Sequence, residues 1–124
     1  MADRQGRIAM IAILFGVGLA LFALYLWDPA AGGRFPPCPW LALTGLQCPG
    51  CGALRGTHAL LHGEVAAAWR LNPLWLVVAP VLGAALLWAS ARSFGVPLPP
   101  WPVPRSGLWG MLLAVLAFGV LRNL

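Results

Sequence analysis

Three strongly apolar stretches of this chain carry no charged side chain, and that property decides which solvent the fold is built for. Residues 8–27 form an uncharged run of 20 residues. As a helix rising about 1.5 Å per residue, such a run reaches roughly 30 Å, the thickness of a bilayer's hydrocarbon core. Residues 74–91 form a second run of 18, and residues 107–121 a shorter third one. With 60% apolar and 9% charged residues and a mean hydropathy of +0.82, the chain lacks the polar coat of a water-soluble domain. The expected fold is an all-α membrane protein, one integral membrane domain over 1–124. Three transmembrane helices and a short interfacial helical cap, between the first and second within residues 28–72, would compose it.

Arg4 and Arg7 precede the first run like the basic end of a leader, but the run is too long and no Ala-x-Ala site follows, so a retained anchor is expected. The net charge of +5 comes from eight arginines scattered along the chain. A nucleic-acid surface would cluster them, so acidic lipid head groups are the simpler partners, beside other membrane proteins or a second copy. Arg105 and Arg122 flank the third run and are expected to snorkel to opposite head-group layers, with Trp101 and Trp109 in the interfacial belt. Arg4 and Arg7 before the first span, against Asp28 after it, favour a cytoplasmic N-terminus and put the cysteines outside the cytoplasm. No span holds Asp, Glu, Lys, Arg or His, which argues against an ion or proton pathway built from one copy.

Leu54, His58, Leu61, Val65, Ala68 and Trp69 recur at helical spacing and predict one apolar stripe, interrupted where His62-Gly63 reads as a helix end. Asn72-Pro73 reads as the N-cap and first position of the second span. Pro80 and Gly83 lie within that span, where Pro80 predicts a kink, and Gly16, Gly18, Gly107 and Gly110 read as sites of close helix approach. Five prolines in residues 95–104 make that segment a stiff connector.

The chemistry concentrates at Cys48-Pro49-Gly50-Cys51. Pro and Gly there fit the second and third positions of a type II turn, with positive φ expected at Gly50, which brings the two thiols together. Cys51 would sit at the start of the next helix, where free N–H groups and Arg55 lower a thiol pKa. His58 and His62 follow at a spacing that lets two imidazoles share an ion, giving C-x2-C-x6-H-x3-H, a zinc-finger-like pattern with a short middle spacer. Cys38 adds a third thiol, so a Zn²⁺ site from Cys38, Cys48, Cys51 and His58, with His62 as a further ligand, is one expectation. A thiol-disulfide oxidoreductase using Cys48, Cys51 and Arg55, with Cys51 attacking, is a second. A structural disulfide in an assembly subunit is the third.

Cys38-Pro39-Trp40, Leu43 to Leu46, Cys48-Pro49-Gly50-Cys51-Gly52, Arg55, Leu60-Leu61, Gly63 and Asn72-Pro73 together resemble the domain-of-unknown-function 2752 family of small bacterial membrane proteins. The resemblance maps the family's Cys-Pro-x-Cys-Gly motif onto Cys48, Pro49, Cys51 and Gly52, its arginine onto Arg55 and its Asn-Pro pair onto Asn72 and Pro73. Leu54 stands where many relatives have Thr. It implies a multi-pass protein of the bacterial cytoplasmic membrane and no particular activity. With no carboxylate pair, serine elbow or phosphate loop in view, a non-enzymatic metal-binding role is expected.

Overall fold

The computed structural model describes residues 4–124, and helix is the only extended regular structure among them. The six helices are α1 (Arg4–Leu26), α2 (Pro39–Thr44), α3 (Ala53–Leu61), α4 (Val65–Leu71), α5 (Pro73–Ser93) and α6 (Arg105–Leu121). Two of them, α1 and α5, are long and apolar enough to cross a membrane, and α6 is a shorter apolar helix. Only 6% of the apolar stretch of α1 or α5 is buried, unlike the core helix of a soluble protein. Phe15 is 73% exposed, Leu87 68% and Leu113 65%. Apolar surface on this scale is stable where hydrocarbon replaces water.

Local chemistry explains where each helix stops. Asp28 ends the first by accepting the Ala30 N–H through Oδ1 at 2.7 Å, which folds residues 29–31 into a 3₁₀ turn. Arg34 lies 5.0 Å above the Trp27 ring and draws the chain back. The end of α3 follows the reading of His62-Gly63: Gly63 takes φ +78°, its N–H donates to the Leu60 carbonyl, and the Glu64 N–H donates to the Ala59 carbonyl at 2.8 Å. This paired closure is a Schellman motif. Gly95, at φ +92°, closes α5 the same way, with the Val96 N–H donating to the Ala91 carbonyl at 3.0 Å. Asn72 caps α5 as expected, its Oδ1 accepting the Trp75 N–H at 3.1 Å, with Pro73 first in the helix. The helix continues through Pro80.

Of the apolar stripe expected on α3 and α4, Ala68 alone is buried. Gly56, Ala59 and Ala68 are buried, whereas Leu54, Leu61, Val65 and Trp69 are exposed. The turn at Gly63 resets the helical phase, so a period carried across it has no physical meaning. Small residues instead let the two short helices approach: a Cβ on Gly56 would stand 3.5 Å from the Trp75 ring and 4.0 Å from the Ala68 carbonyl oxygen. The Trp75 indole N–H donates to Thr57 Oγ1 at 2.8 Å, tying α5 to the same patch.

Gly16, Gly18, Gly83 and Gly110 have nothing within 4 Å of an added Cβ, so they are not the close-approach sites that the sequence led us to expect. Gly107 is tight, but against Val103 just before its own helix. Gly119 marks the close approach between elements, where an added Cβ would stand 2.7 Å from Pro49. The Trp101 ring meets that of Trp88 edge-on at 5.6 Å.

The end of α1, the start of α5 and the end of α6 converge on the segment between α2 and α4. At the other end, Arg7 of α1 lies beside Gly95, which follows α5, so these two helices run antiparallel with matched ends.

The two positive-φ glycines flanking α3 differ in surroundings. A Cβ on Gly63 would meet nothing within 4 Å, whereas one on Gly52 would stand 2.8 Å from the Leu71 carbonyl oxygen. Gly63→Ala should therefore lose about 1–2 kcal/mol from the left-handed backbone alone, and Gly52→Ala that amount plus about 1–3 kcal/mol of overpacking. Unfolding in detergent should rank Gly52→Ala clearly below Gly63→Ala; equal losses would contradict the close approach.

Candidate metal centre in the cysteine loop

The turn 48–51 forms, with the Cys51 N–H donating to the Cys48 carbonyl at 3.0 Å, but its conformation differs from type II. Gly50 has no positive φ; the left-handed residue is Gly52, at φ +86°, which is the N-cap of α3. A further turn bond, from the Ala53 N–H to the Gly50 carbonyl at 3.0 Å, continues the winding into α3. The unusual backbone is therefore needed two residues later, where the chain passes the Leu71 carbonyl.

Three side chains from other elements hold this loop. Asn72 is 1% exposed and is the largest fully buried side chain. While its oxygen caps α5, its Nδ2 donates to the Pro49 carbonyl at 2.9 Å and the Cys51 carbonyl at 3.2 Å. Arg122, expected at a head-group layer, turns inward: Nη1 donates to the Cys51 carbonyl at 2.6 Å, Nη2 to the Leu71 carbonyl at 2.9 Å, and Nε to Gln47 Oε1. Asn123 pairs with the Gln47 backbone, accepting its N–H at 2.8 Å and donating to its carbonyl at 2.7 Å. Carbonyls at the end of α4 and in a tight turn have few local donors, so leaving them unpaired would cost about 1–3 kcal/mol each.

The result is a thiol cluster. Cys38 Sγ lies 3.5 Å from Cys48 Sγ, Cys48 Sγ lies 3.0 Å from Cys51 Sγ, and all three sulfurs fall within 4.8 Å of one another. Each residue is half-buried and carries a free thiol. Cys38 arrives from the N-cap of α2, positioned by Pro39 at the first helical position.

The electrostatics reverse the expected roles of the thiols. The Leu41 amide in the first turn of α2, without full capping geometry, holds the Cys38 thiol below its ordinary range, helped by the Cys48 thiol. Burial pushes Cys51 up to about 11, reinforced by the Cys48 thiol. Cys51 stands one residue before the N-cap Gly52 and turns back to accept the Cys48 N–H at 3.2 Å, so the helix terminus does not favour its thiolate. Arg55, assigned to lower that pKa, is exposed and donates no hydrogen bond to the loop among the described residues; the guanidinium beside the cysteines belongs to Arg122.

The histidines lie elsewhere. His58 Nδ1 meets the Leu24 carbonyl at the end of α1, and His62 stacks on Tyr25 with ring centroids 4.5 Å apart. Among the described residues only the three cysteines form a group of metal-ligating side chains this close together.

Residues 38–86 match the family model described as Protein of unknown function (DUF2752). No curated protein and no solved structure matches the chain. The match begins at the first thiol and runs into α5, so it takes in all three cysteines and Asn72. The structure joins the two halves of the motif, since Asn72 bonds the carbonyls of Pro49 and Cys51.

Thiol reactivity follows from these shifts. In the reduced, metal-free protein, raising the pH converts Cys38 to thiolate before Cys51, which ionises only as the pH nears about 11. Alkylation mapped by mass spectrometry at neutral pH should therefore modify Cys38 well before Cys51. The reverse order would contradict the placement of these two sulfurs.

Proposed function

We propose that the cap is a metal-binding module holding one soft ion, Zn²⁺ foremost, between the thiolates of Cys38, Cys48 and Cys51, in a non-enzymatic role. The observation that carries this reading is the convergence of three sulfurs within 4.8 Å. Tetrahedral Zn²⁺ with bonds of about 2.3 Å sets its sulfurs about 3.8 Å apart. The pairs at 3.5 and 3.0 Å would reach that spacing through sub-ångström shifts. Thiolates are also the ligands that select Zn²⁺ and other soft ions. Three thiolates and one divalent ion sum to a single negative charge, next to which Arg122 supplies a positive one. The fourth position would fall to water or an outside ligand, because His58 is held at the end of α1, outside the group formed by the three sulfurs.

The membrane arrangement belongs to the same proposal. Three spans, α1, α5 and α6, would alternate in direction and bring the end of the first, the start of the second and the end of the third to one side, where the cap lies. The arginines before α1 favour placing that side outside the cytoplasm of a bacterial inner membrane.

One observation favours a redox reading as the alternative: Cys48 is within 3.5 Å of both other sulfurs, so it could exchange partners between them. The attacking thiolate would then be Cys38, not Cys51.

Elemental analysis of the full chain, purified in mild detergent under reducing conditions, should find a thiol-bound zinc equivalent that Cys48→Ser removes. Saturation at 1,000 times the Kd should stabilise the fold by about 4 kcal/mol, a gain that a chelator reverses. Metal-free protein that cycles between dithiol and Cys48–Cys51 disulfide would overturn the metal reading and support exchange.

A further inference from the structure

The two histidines that the thiol cluster leaves out form a cluster of their own at the far end of α3. His58 Nδ1 meets the Leu24 carbonyl oxygen, in the last turn of α1, and His62 Nδ1 meets the His58 carbonyl oxygen at 2.9 Å. A carbonyl only accepts, so each Nδ1 must carry the proton, and each neutral ring keeps its lone pair on Nε2. The ring centroids are 4.4 Å apart with planes inclined at 41°, and Tyr25 lies flat on His62 at 4.5 Å and 2°. Both imidazoles are thus fixed in tautomer and orientation.

Helix capping explains the Leu24 contact, because the last carbonyls of a helix lack partners inside it, whereas the His58 carbonyl already accepts the His62 backbone N–H at 3.2 Å. Capping leaves Nε2 unexplained. Neither Nε2 has a hydrogen-bond partner among the described residues, and His58 Nε2 is not sealed from solvent, since the only unpartnered buried side-chain polar atom among them is Trp88 Nε1. Two imidazoles four residues apart, each with its other N–H held by a backbone carbonyl, have the outer-shell support that metal-binding histidines show.

We propose that His58 and His62 constitute a second metal site, taking a borderline divalent ion such as Zn²⁺, Ni²⁺ or Cu²⁺ through the two Nε2 atoms, with water completing the coordination. It is separate from the thiol centre. His58 lies five residues into α3 from Ala53, about 7.5 Å along the helix axis, while Cys51 lies in the turn before that helix. The donor sets differ as well: imidazole suits several first-row ions, whereas the thiols favour soft ones. With two protein ligands instead of three, the histidine site binds more weakly and fills after the thiol site.

Equilibrium dialysis of the full chain in detergent against Zn²⁺, at free zinc well above that needed to fill the thiols, tests the proposal directly. The wild type should hold two equivalents and His62→Gln one. That variant spares the Leu24 contact of His58, and His62 is itself exposed. The Cys38→Ser/Cys48→Ser/Cys51→Ser protein should retain one equivalent, which adding His62→Gln abolishes. Identical zinc content in the wild type and His62→Gln overturns the proposal. One equivalent in the wild type that His62→Gln removes and the triple serine variant keeps would instead sink the thiol centre and leave the histidine site standing.

Discussion

The carboxamide of Asn72 is the tie on which the rest of the cap depends. It is buried, and it satisfies three backbone groups at once: the Trp75 N–H that opens α5 and the carbonyls of Pro49 and Cys51. In surroundings poor in water, each of those groups needs a protein partner, and no apolar side chain could supply one. A single residue therefore sets where the second long helix begins and how the cysteine turn sits against it. Arg122 and Asn123 close the same turn from the end of α6, and Gly119 lets that helix come down onto Pro49.

The sulfur arrangement is a consequence of that backbone. With both carbonyls of the turn drawn outward to Asn72 and Arg122, Cys48 and Cys51 are left facing each other, and Cys38 reaches them from the start of α2. Gly52 is required at the exit, since any side chain there would meet the Leu71 carbonyl that Arg122 also engages. The three thiols are not equivalent. A more acidic Cys38 and a less acidic Cys51, both half-buried, flank a central Cys48. An ion bound by these thiols would displace their protons, which would couple its uptake to pH.

Much of the architecture was legible because it rests on local rules. Uncharged runs marked α1 and α5, the Asn-Pro pair marked a cap, and Gly63 marked a Schellman end. Proximity of Cys48 and Cys51 followed from the tight turn alone. What escaped depends on partners far along the chain. Gln47 and Arg122 are 75 residues apart, and no spacing rule links them. The positive φ was assigned to Gly50 from turn statistics, but passage beside Leu71 demands it at Gly52. Arg55 was credited with acidifying Cys51 because it is near in sequence, yet burial raises that thiol and Arg122 is the neighbouring cation. The histidines were grouped with the cysteines because their spacing suits one ion, whereas α3 carries them away to the end of α1.

X-ray absorption at the zinc edge of protein carrying one equivalent tests most directly the claim that this knot gathers three thiols into one site. The account predicts three sulfur scatterers at about 2.3 Å and one lighter atom. A shell with fewer than three sulfurs, or one made only of nitrogen and oxygen, would contradict it.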